Sequence, residues 1–306
     1  MRYLVTGATG FIGRRLVGHL IGQGHDVTAL VRGASPLGGA RTVRGDLATG
    51  SGLPAALDGA DRIIHLAGLT KAPSPATFAA VNIEGTRLLC TAAAAMPQPP
   101  PLVYCSSLAA SGPGRLRSEL DPPNPVSAYG RSKLGGEQVV HAAGRVPGIV
   151  VRPPIVYGTG DREFLPRLVS AVRAGILPAL GPRGERYYSL IHVDDLCAAL
   201  LTAAETGTAG FTYHVSDGVE HRWEDIGAAV AAVLGRRRPR VVHIPAAPAS
   251  AVARTLGRTS ILNPDKVTEL LHPAWTCAAG RLPFTPRIPL HQGLTTALSR
   301  QPLTTP

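Results

Sequence analysis

The chain is poor in the residues on which several common kinds of protein depend. Only four cysteines occur in 306 residues. Cys90, Cys105, Cys197 and Cys277 stand far apart, with neither a CxxC pair nor a Cys/His metal spacing. That argues against a disulfide-stapled scaffold or a zinc module; the thiols read as reduced and packed, and no metal site is expected. No apolar run reaches the length that crosses a bilayer. The opening MRYLVTGATG lacks the apolar stretch and small-residue cleavage site of a secretory signal. A cytoplasmic protein with no membrane partner is the expectation. Lysine is confined to positions 71, 133 and 266, so the formal charge of +11 is carried by scattered arginines rather than by a clustered basic face. The densest run, Arg236-Arg237-Arg238-Pro239-Arg240, follows an Ala-rich helical stretch and reads as a solvated helix end. No nucleic-acid partner is expected; an anionic cofactor or small-molecule substrate accounts equally well for part of the excess.

A composition of 44% hydrophobic and 17% charged residues is that of a globular chain. In the first half, short β-branched or apolar runs alternate with longer helical stretches. The predicted strands are Tyr3–Thr6, Asp26–Val31, Thr42–Arg44, Arg62–Leu66, Leu102–Ser106 and Ile149–Arg152. The predicted helices are Ile12–Gln23, Pro54–Leu57, Pro75–Ala95 and Ser127–Ala143. Right-handed crossovers turn this order into an α/β, Rossmann-type doubly wound parallel sheet. Beyond about residue 153, proline and glycine break the pattern more often. The expected division is a dinucleotide-binding domain over 1–153, to which 190–216 returns, a smaller discontinuous substrate-binding lobe from 154–189 and 217–298, and a tail over 299–306. No internal repeat is present.

Between the first strand and the first helix lies Gly7-Ala8-Thr9-Gly10-Phe11-Ile12-Gly13. Glycines there let backbone N–H groups approach a pyrophosphate, and the helix N-terminus adds partial positive charge. A glycine triplet alone is weak; its place between strand and helix is what the dinucleotide reading requires. NAD-preferring sites put a carboxylate at the end of the second strand. Val31 stands there, followed by Arg32, whose guanidinium suits a ribose 2′-phosphate. NADP is therefore favoured over NAD, the alternative being a surface arginine in an arginine-rich chain. Asp46, in Gly45-Asp46-Leu47, offers a carboxylate to an adenine amino group or is an ordinary turn aspartate. His65-Leu66-Ala67-Gly68 ends the fourth strand in small residues that let a cofactor lie against the backbone.

Tyr129 and Lys133 stand four apart on one face of a long helix. A free phenol has a pKa of about 10, and a nearby ammonium favours its ionised form. Such a pair moves a proton to or from a carbinol oxygen while hydride moves to or from a nicotinamide. Ser107, at the end of the fifth strand, faces the ligand crevice and offers a hydrogen bond to the substrate oxygen.

With these residues in this order, the chain resembles the extended short-chain dehydrogenase/reductases, also called the NAD-dependent epimerase/dehydratase family. TGATGFIG, GDL, HLAG, VNIEGT, YCSSLAASG, SAYGRSK, RPPIVYG and IHVDDL fall in the family's order over residues 5–196. LNPDKVTELLHPAW and IPLHQGL look like its C-terminal end. The resemblance implies that Gly7, Gly10 and Gly13, with Thr9, Phe11 and Ile12 between them, cradle the pyrophosphate. It implies that Asp46 and Leu47 border the adenine, that Leu66, Ala67 and Gly68 flank the ribose side, and that Asn82 organises the active-site helix. Ser107, Tyr129 and Lys133 would be the catalytic trio, Lys133 also holding the nicotinamide ribose. Pro153, Ile155 and Val156 would adjoin the nicotinamide and Tyr157 the substrate. His192 and Asp194 would organise the fold, and the two long helices would form a homodimer contact.

The implied chemistry is narrower than the family's range. Dehydratases of this type carry an Asp-Glu pair after the serine position, where this chain has Leu108 and Ala109. Sugar-nucleotide epimerases tend to present an asparagine and an arginine to the diphosphate, where this chain has Ile155 and Tyr188. Arg186, two residues earlier on the same face of a strand, is the candidate substitute. RPPIVYG and ALVRG are closer to the dihydroflavonol-reductase-like and 3β-hydroxysteroid-dehydrogenase-like branches. The first expectation is thus a reductase or dehydrogenase acting on a ketone or secondary alcohol of a fairly apolar substrate. The second is an epimerase without net redox, and a third, less favoured, is a non-catalytic dinucleotide sensor.

Overall fold

The computed structural model describes residues 1–256 and 263–299. The first half runs β1 (Arg2–Thr6), α1 (Phe11–Gly22), β2 (Asp26–Val31), β3 (Arg41–Arg44), α2 (Leu53–Leu57) and β4 (Arg62–His65). It continues through α3 (Pro75–Ala79), α4 (Gly85–Ala94), β5 (Leu102–Cys105), α5 (Leu108–Ser111), β6 (Gly114–Arg117), α6 (Ala128–His141) and β7 (Gly148–Arg152). The second half holds β8 (Ile155–Tyr157), α7 (Phe164–Arg173), β9 (Ile176–Leu180), β10 (Tyr187–Tyr188), β11 (Leu190–His192), α8 (Val193–Thr206), β12 (Thr212–His214) and β13 (His221–Arg222). It ends with α9 (Trp223–Val233), β14 (Arg240–Ile244), α10 (Ala246–Leu256), α11 (Pro264–Leu271), β15 (Ala274–Cys277) and α12 (Leu290–Ser299). Positions 300–306 of the expected tail lie outside the described residues.

Seven parallel strands make the main sheet in the order β12-β7-β5-β4-β1-β2-β3. The central strands read as near-continuous apolar runs because helices cover both faces: Leu4, Val5, Ile63, Ile64, Val103 and Val150 are fully buried. The strand order reverses between β1 and β4, which opens a crevice outside their carboxyl ends. Both the glycine loop after β1 and the small-residue loop after β4 emerge there.

Sequence patterning predicts one helix over Pro75–Ala95, and the chain instead passes through a π-turn over Ala80–Glu84 between α3 and α4. The widened turn carries Asn82, which is 1% exposed, and such insertions concentrate at functional sites. α6 starts at Ser127, whose hydroxyl accepts from Gly130 N at 3.0 Å. One turn beyond Lys133, Glu137 meets Arg152 of β7 in a buried ion pair at 2.6 and 2.9 Å. The same carboxylate accepts from the Ser106 hydroxyl at the end of β5.

The second lobe is built from short strands. β9 pairs with β14, and β13-β10-β15-β6 form a four-stranded sheet. Asp194, in the first turn of α8, accepts both Arg15 nitrogens at 2.8 and 2.6 Å and His19 at 3.0 Å, tying α8 to α1. His192 accepts from Asp194 N at 3.3 Å as the cap of α8. No helix among the described residues is long and apolar enough to cross a membrane.

Candidate active site

A cavity of about 1320 Å³ opens at the crevice and runs into the second lobe. Its first wall is the loop after β1, where Thr9, Phe11 and Ile12 join the glycines. Gly7 has φ +71°, and a Cβ there would come within 2.6 Å of Ala67 N. A Cβ on Gly13 would come within 2.2 Å of Gly7 O. Gly10 N donates to Gly7 O at 3.0 Å, closing the turn. α1 has no side-chain cap and no carboxylate in its first turn. Its leading N–H groups are therefore left for an external anion, and the cradle fits a dinucleotide pyrophosphate. Leu66, Pro153, Ile155 and Val156 continue the wall toward the reacting end. Gly13→Ala should remove the thermal stabilisation that saturating NADPH gives the wild type, whatever it does to the melting temperature without cofactor; a preserved shift would mean that the pyrophosphate lies elsewhere.

Ser107 and Tyr129 both line the cavity, and the serine hydroxyl favours the ionised form of the phenol. Ser107 is also the cap of α5, accepting from Ala109 N at 3.1 Å. Burial pushes the Tyr129 phenol well above its ordinary range, Ser107 pulls against that, and Glu269 adds to the rise. Lys133 sits behind the cavity wall, 4% exposed. Its ammonium donates to Cys105 O at 2.8 Å, lies 4.1 Å over the Tyr104 ring and stands beside Gly68. Burial lowers it to about 8. The expected acidification of the phenol by this ammonium is therefore absent from the protein alone: Lys133 is turned to the backbone of β5, and desolvation decides the sign.

A directed hydrogen-bond chain sets the wall between the two halves of the site. Ala67 N donates to Thr6 Oγ1 at 3.2 Å, and Thr6 Oγ1 meets His65 Nδ1 at 2.6 Å. His65 Nε2 meets Thr86 Oγ1 at 2.9 Å, and that hydroxyl donates to Asn82 O at 2.8 Å. Since Thr86 spends its proton on Asn82, His65 must donate from Nε2 and accept at Nδ1. Burial holds the ring neutral, with its pKa lowered to about 3. The Asn82 side chain accepts from Leu69 N at 2.7 Å and donates to Leu69 O at 3.0 Å and Ser132 Oγ at 2.8 Å. Ser132 in turn donates to Tyr129 O at 2.7 Å. The loop after β4 and the helix bearing Tyr129 and Lys133 are thereby fixed to one another, as the resemblance implies for Asn82.

Comparison with known proteins agrees with this geometry. The model of the NAD dependent epimerase/dehydratase family matches residues 3–216. The chain belongs to that family. It is an enzyme of the extended short-chain dehydrogenase/reductase type, NAD(P)-dependent, on a Rossmann sheet. A ceramide reductase of Caulobacter vibrioides is 34% identical over 304 residues, 95% of this chain and 90% of the relative. A 4-hydroxy-2-methyl-3-oxo-4-farnesyl-3,4-dihydroquinoline-1-oxide ketoreductase of Stigmatella aurantiaca is 34% identical over 233 residues, 71% of this chain and 69% of the relative. Among solved structures, MoeE5 in complex with UDP-glucose and NAD superposes with a TM-score of 0.77 at 26% identity, covering 98% of each chain.

Measured against the family's pattern, three sequence expectations change. Tyr157 does not face the substrate. It is fully buried, its hydroxyl has no partner, and its ring packs edge-on against His192 at 5.4 Å and against Gly293, because β8 turns Tyr157 into the core of the second lobe. Asp46 and Leu47 lie outside the cavity: the Asp46 carboxylate accepts from Ala48 N at 2.9 Å in a local turn, and Leu47 is buried beside Gly85. Arg186 is no substitute diphosphate ligand, since its guanidinium donates to the carbonyls of Leu180, Leu270 and His272. The expectation for Arg32 is unaffected: it stands exposed directly after β2, on the carboxyl edge of the sheet beside the cavity lining.

Sequence reasoning also missed residues. Arg14, directly after the third glycine, donates to Thr9 O at 3.0 Å and to Ser35 Oγ at 3.3 Å, bringing a guanidinium from α1 to the loop that follows Arg32. On α11, Asp265 accepts from Ala128 N at 3.1 Å and Glu269 from Ser127 Oγ at 2.7 Å. Two carboxylates spaced i, i+4 thus clamp the N-terminus of α6, where the helix dipole favours negative charge. That spacing was visible in NPDKVTELL.

Proposed function

We propose that the protein is an NADPH-dependent reductase of a ketone on an apolar substrate. The observation that carries this reading is a phenol kept protonated by burial, next to a serine hydroxyl, at the junction of the dinucleotide crevice and an apolar chamber. The chamber walls include Leu108, Ala109, Phe164, Leu168, Tyr188 and Trp275. When bound, the dinucleotide supplies the hydride that adds to the carbonyl carbon. Tyr129 gives its proton to the carbonyl oxygen, and Ser107 donates a hydrogen bond to the same oxygen as negative charge builds on it. Lys133 holds the nicotinamide ribose once Cys105 O yields to it. A protonated phenol suits the reduction, where a proton must be delivered.

Leucine and alanine at 108 and 109 leave no acid–base pair for elimination. Arg186, committed to carbonyls, speaks against a sugar nucleotide diphosphate. The ceramide reductase and the farnesyl-quinoline ketoreductase, both named for reduction of lipid-like molecules, support an apolar ketone. The test is loss of NADPH absorbance with a panel of hydrophobic ketones; conversion of substrate with the cofactor unconsumed would move the reading to epimerisation.

The proposed NADP preference is supported by Arg32 following Val31 and by Arg14 reaching Ser35, which put two guanidinium groups at the end of β2 suited to bind a ribose 2′-phosphate. In a thermal-shift titration NADPH should stabilise the protein at concentrations about tenfold below those of NADH. Arg32→Gln should close most of that gap. Equal stabilisation by the two dinucleotides in the wild type would end the assignment.

A further inference from the structure

Charged side chains line the cavity, and almost all are engaged. Asp161 caps α7, accepting from Glu163 N, Phe164 N and Leu165 N at 2.7, 3.1 and 2.8 Å. Glu163 holds Lys71 at 2.7 Å, while Asp265 and Glu269 hold the start of α6. On the cationic side, Arg14 reaches Thr9 and Ser35, Arg15 pairs with Asp194, Lys266 with Glu269, and Arg186 is taken up by carbonyls. Among the described residues, two lining cations have neither a hydrogen bond nor an ion pair: Arg162 and Arg167.

These two stand in different surroundings. Arg162 is exposed, on a loop whose Gly160 lies against the Phe11 ring beside the phosphate turn. Arg167 is half-buried on α7, with Phe164, Leu168 and Ala171 at helical spacing around it and lining the same cavity. The Arg167 nitrogens are not sealed from solvent, so the charge is tolerated without a partner, and an anion entering between the apolar walls gains a charge-assisted hydrogen bond from it. We infer that the substrate is an apolar ketone bearing a carboxylate, and that Arg167 is the residue that selects it. This rests on reading the cavity as the reductase's substrate chamber. Planar guanidinium matches carboxylate bidentately, and the aliphatic stem of the arginine packs on the apolar wall.

Trp223 and Trp275 are the chain's only tryptophans, and both line the cavity, so intrinsic fluorescence reports occupancy without turnover. Decanoate and 1-decanol, titrated into the NADP-loaded protein, share a tail and differ in charge. The wild type should bind decanoate about tenfold or more tighter than decanol, and Arg167→Met should remove that preference. Arg173→Met, on the exposed last turn of the same helix, should keep it. Equal affinity for the two probes in the wild type, or a preference that survives in Arg167→Met, would overturn the inference. So would a thermal-shift titration in which Arg167→Met weakens NADPH rather than decanoate, since Arg167 would then belong to the cofactor phosphates. Ketone turnover is scored separately: a decanoate preference without any NADPH consumption counts against the reductase reading alone, and turnover without the preference counts against the carboxylate alone.

Discussion

Tyr129→Phe should leave the NADPH-induced rise in melting temperature intact and lower kcat for ketone reduction by roughly 10³-fold, within the range for removing a positioned proton donor. The ring itself is retained, so its tilted contact with Phe78, centroids 6.1 Å apart, survives the change. What disappears is the proton. Because burial holds this phenol well above its ordinary range, its proton remains available through neutral pH. The reduction rate of the wild type should therefore be flat across neutrality. It should fall as the pH rises through about 8, where Lys133, lowered by burial, loses its charge. Oxidation of the product alcohol should instead rise with pH across neutrality, since it needs the phenol deprotonated and burial keeps that form scarce. Ser107→Ala should cost less, because it removes one hydrogen bond to the developing oxyanion but not the proton source. An unchanged kcat in Tyr129→Phe would remove the enzyme reading from this residue and bring the dinucleotide-sensor alternative forward.

The parts of the fold that local sequence can encode were legible, and those that depend on distant partners were not. β2 is found over Asp26–Val31 as the pattern predicts, and the other predicted strands shift by a residue or so at their ends, while β6, which joins the second lobe's sheet, was not predicted. The central strands β1, β4, β5 and β7 are apolar on both faces and lie between recognisable helices, so one signal serves both periodicity and burial. The short strands of the second lobe gave no such signal. β9 reads Ile-Leu-Pro-Ala-Leu and exists because β14 pairs with it residue for residue, a contact spanning more than sixty positions of sequence. The glycine turn, Ser107 and Tyr129 reach the cavity because strand and helix ends fix where such residues go, while Lys133 lies behind its wall. Tyr157, which the resemblance places at the substrate, lies between cavity residues Val156 and Thr159, yet its side chain turns away from the cavity and fills the lobe's core. The sign of the phenol's shift was also beyond the sequence. Four-residue spacing puts an ammonium on the right face of the helix but does not say that it will turn to Cys105 O.

Glu137→Ala should destabilise the protein by about 3–5 kcal/mol, the typical cost of stranding one member of a buried ion pair. That corresponds to a fall in melting temperature of roughly 5–10 °C for a chain of this size. Glu137 is 2% exposed and Arg152 4% exposed. Arg152 Nη1 already lacks a partner, so without the carboxylate the whole guanidinium would be left uncompensated in the core. The double variant Glu137→Leu with Arg152→Leu should recover much of the loss, because removing both charges avoids the desolvation that the single variant exposes. Glu137→Gln, which keeps the shape and loses the charge, should fall between. The consequence for chemistry follows from what the carboxylate joins: α6, which carries Tyr129 and Lys133; the end of β5, where Ser106 precedes Ser107; and the end of β7, where Arg152 precedes Pro153 of the cavity wall. One side chain therefore sets the spacing of the three elements that hold the trio and the nicotinamide wall. In Glu137→Gln, kcat should drop by more than KM for the cofactor rises, since the glycine cradle on α1 makes no contact with this pair. A melting temperature unchanged in Glu137→Ala would show that the pair is dispensable and that the trio is positioned by the Asn82 and Ser132 bonds alone.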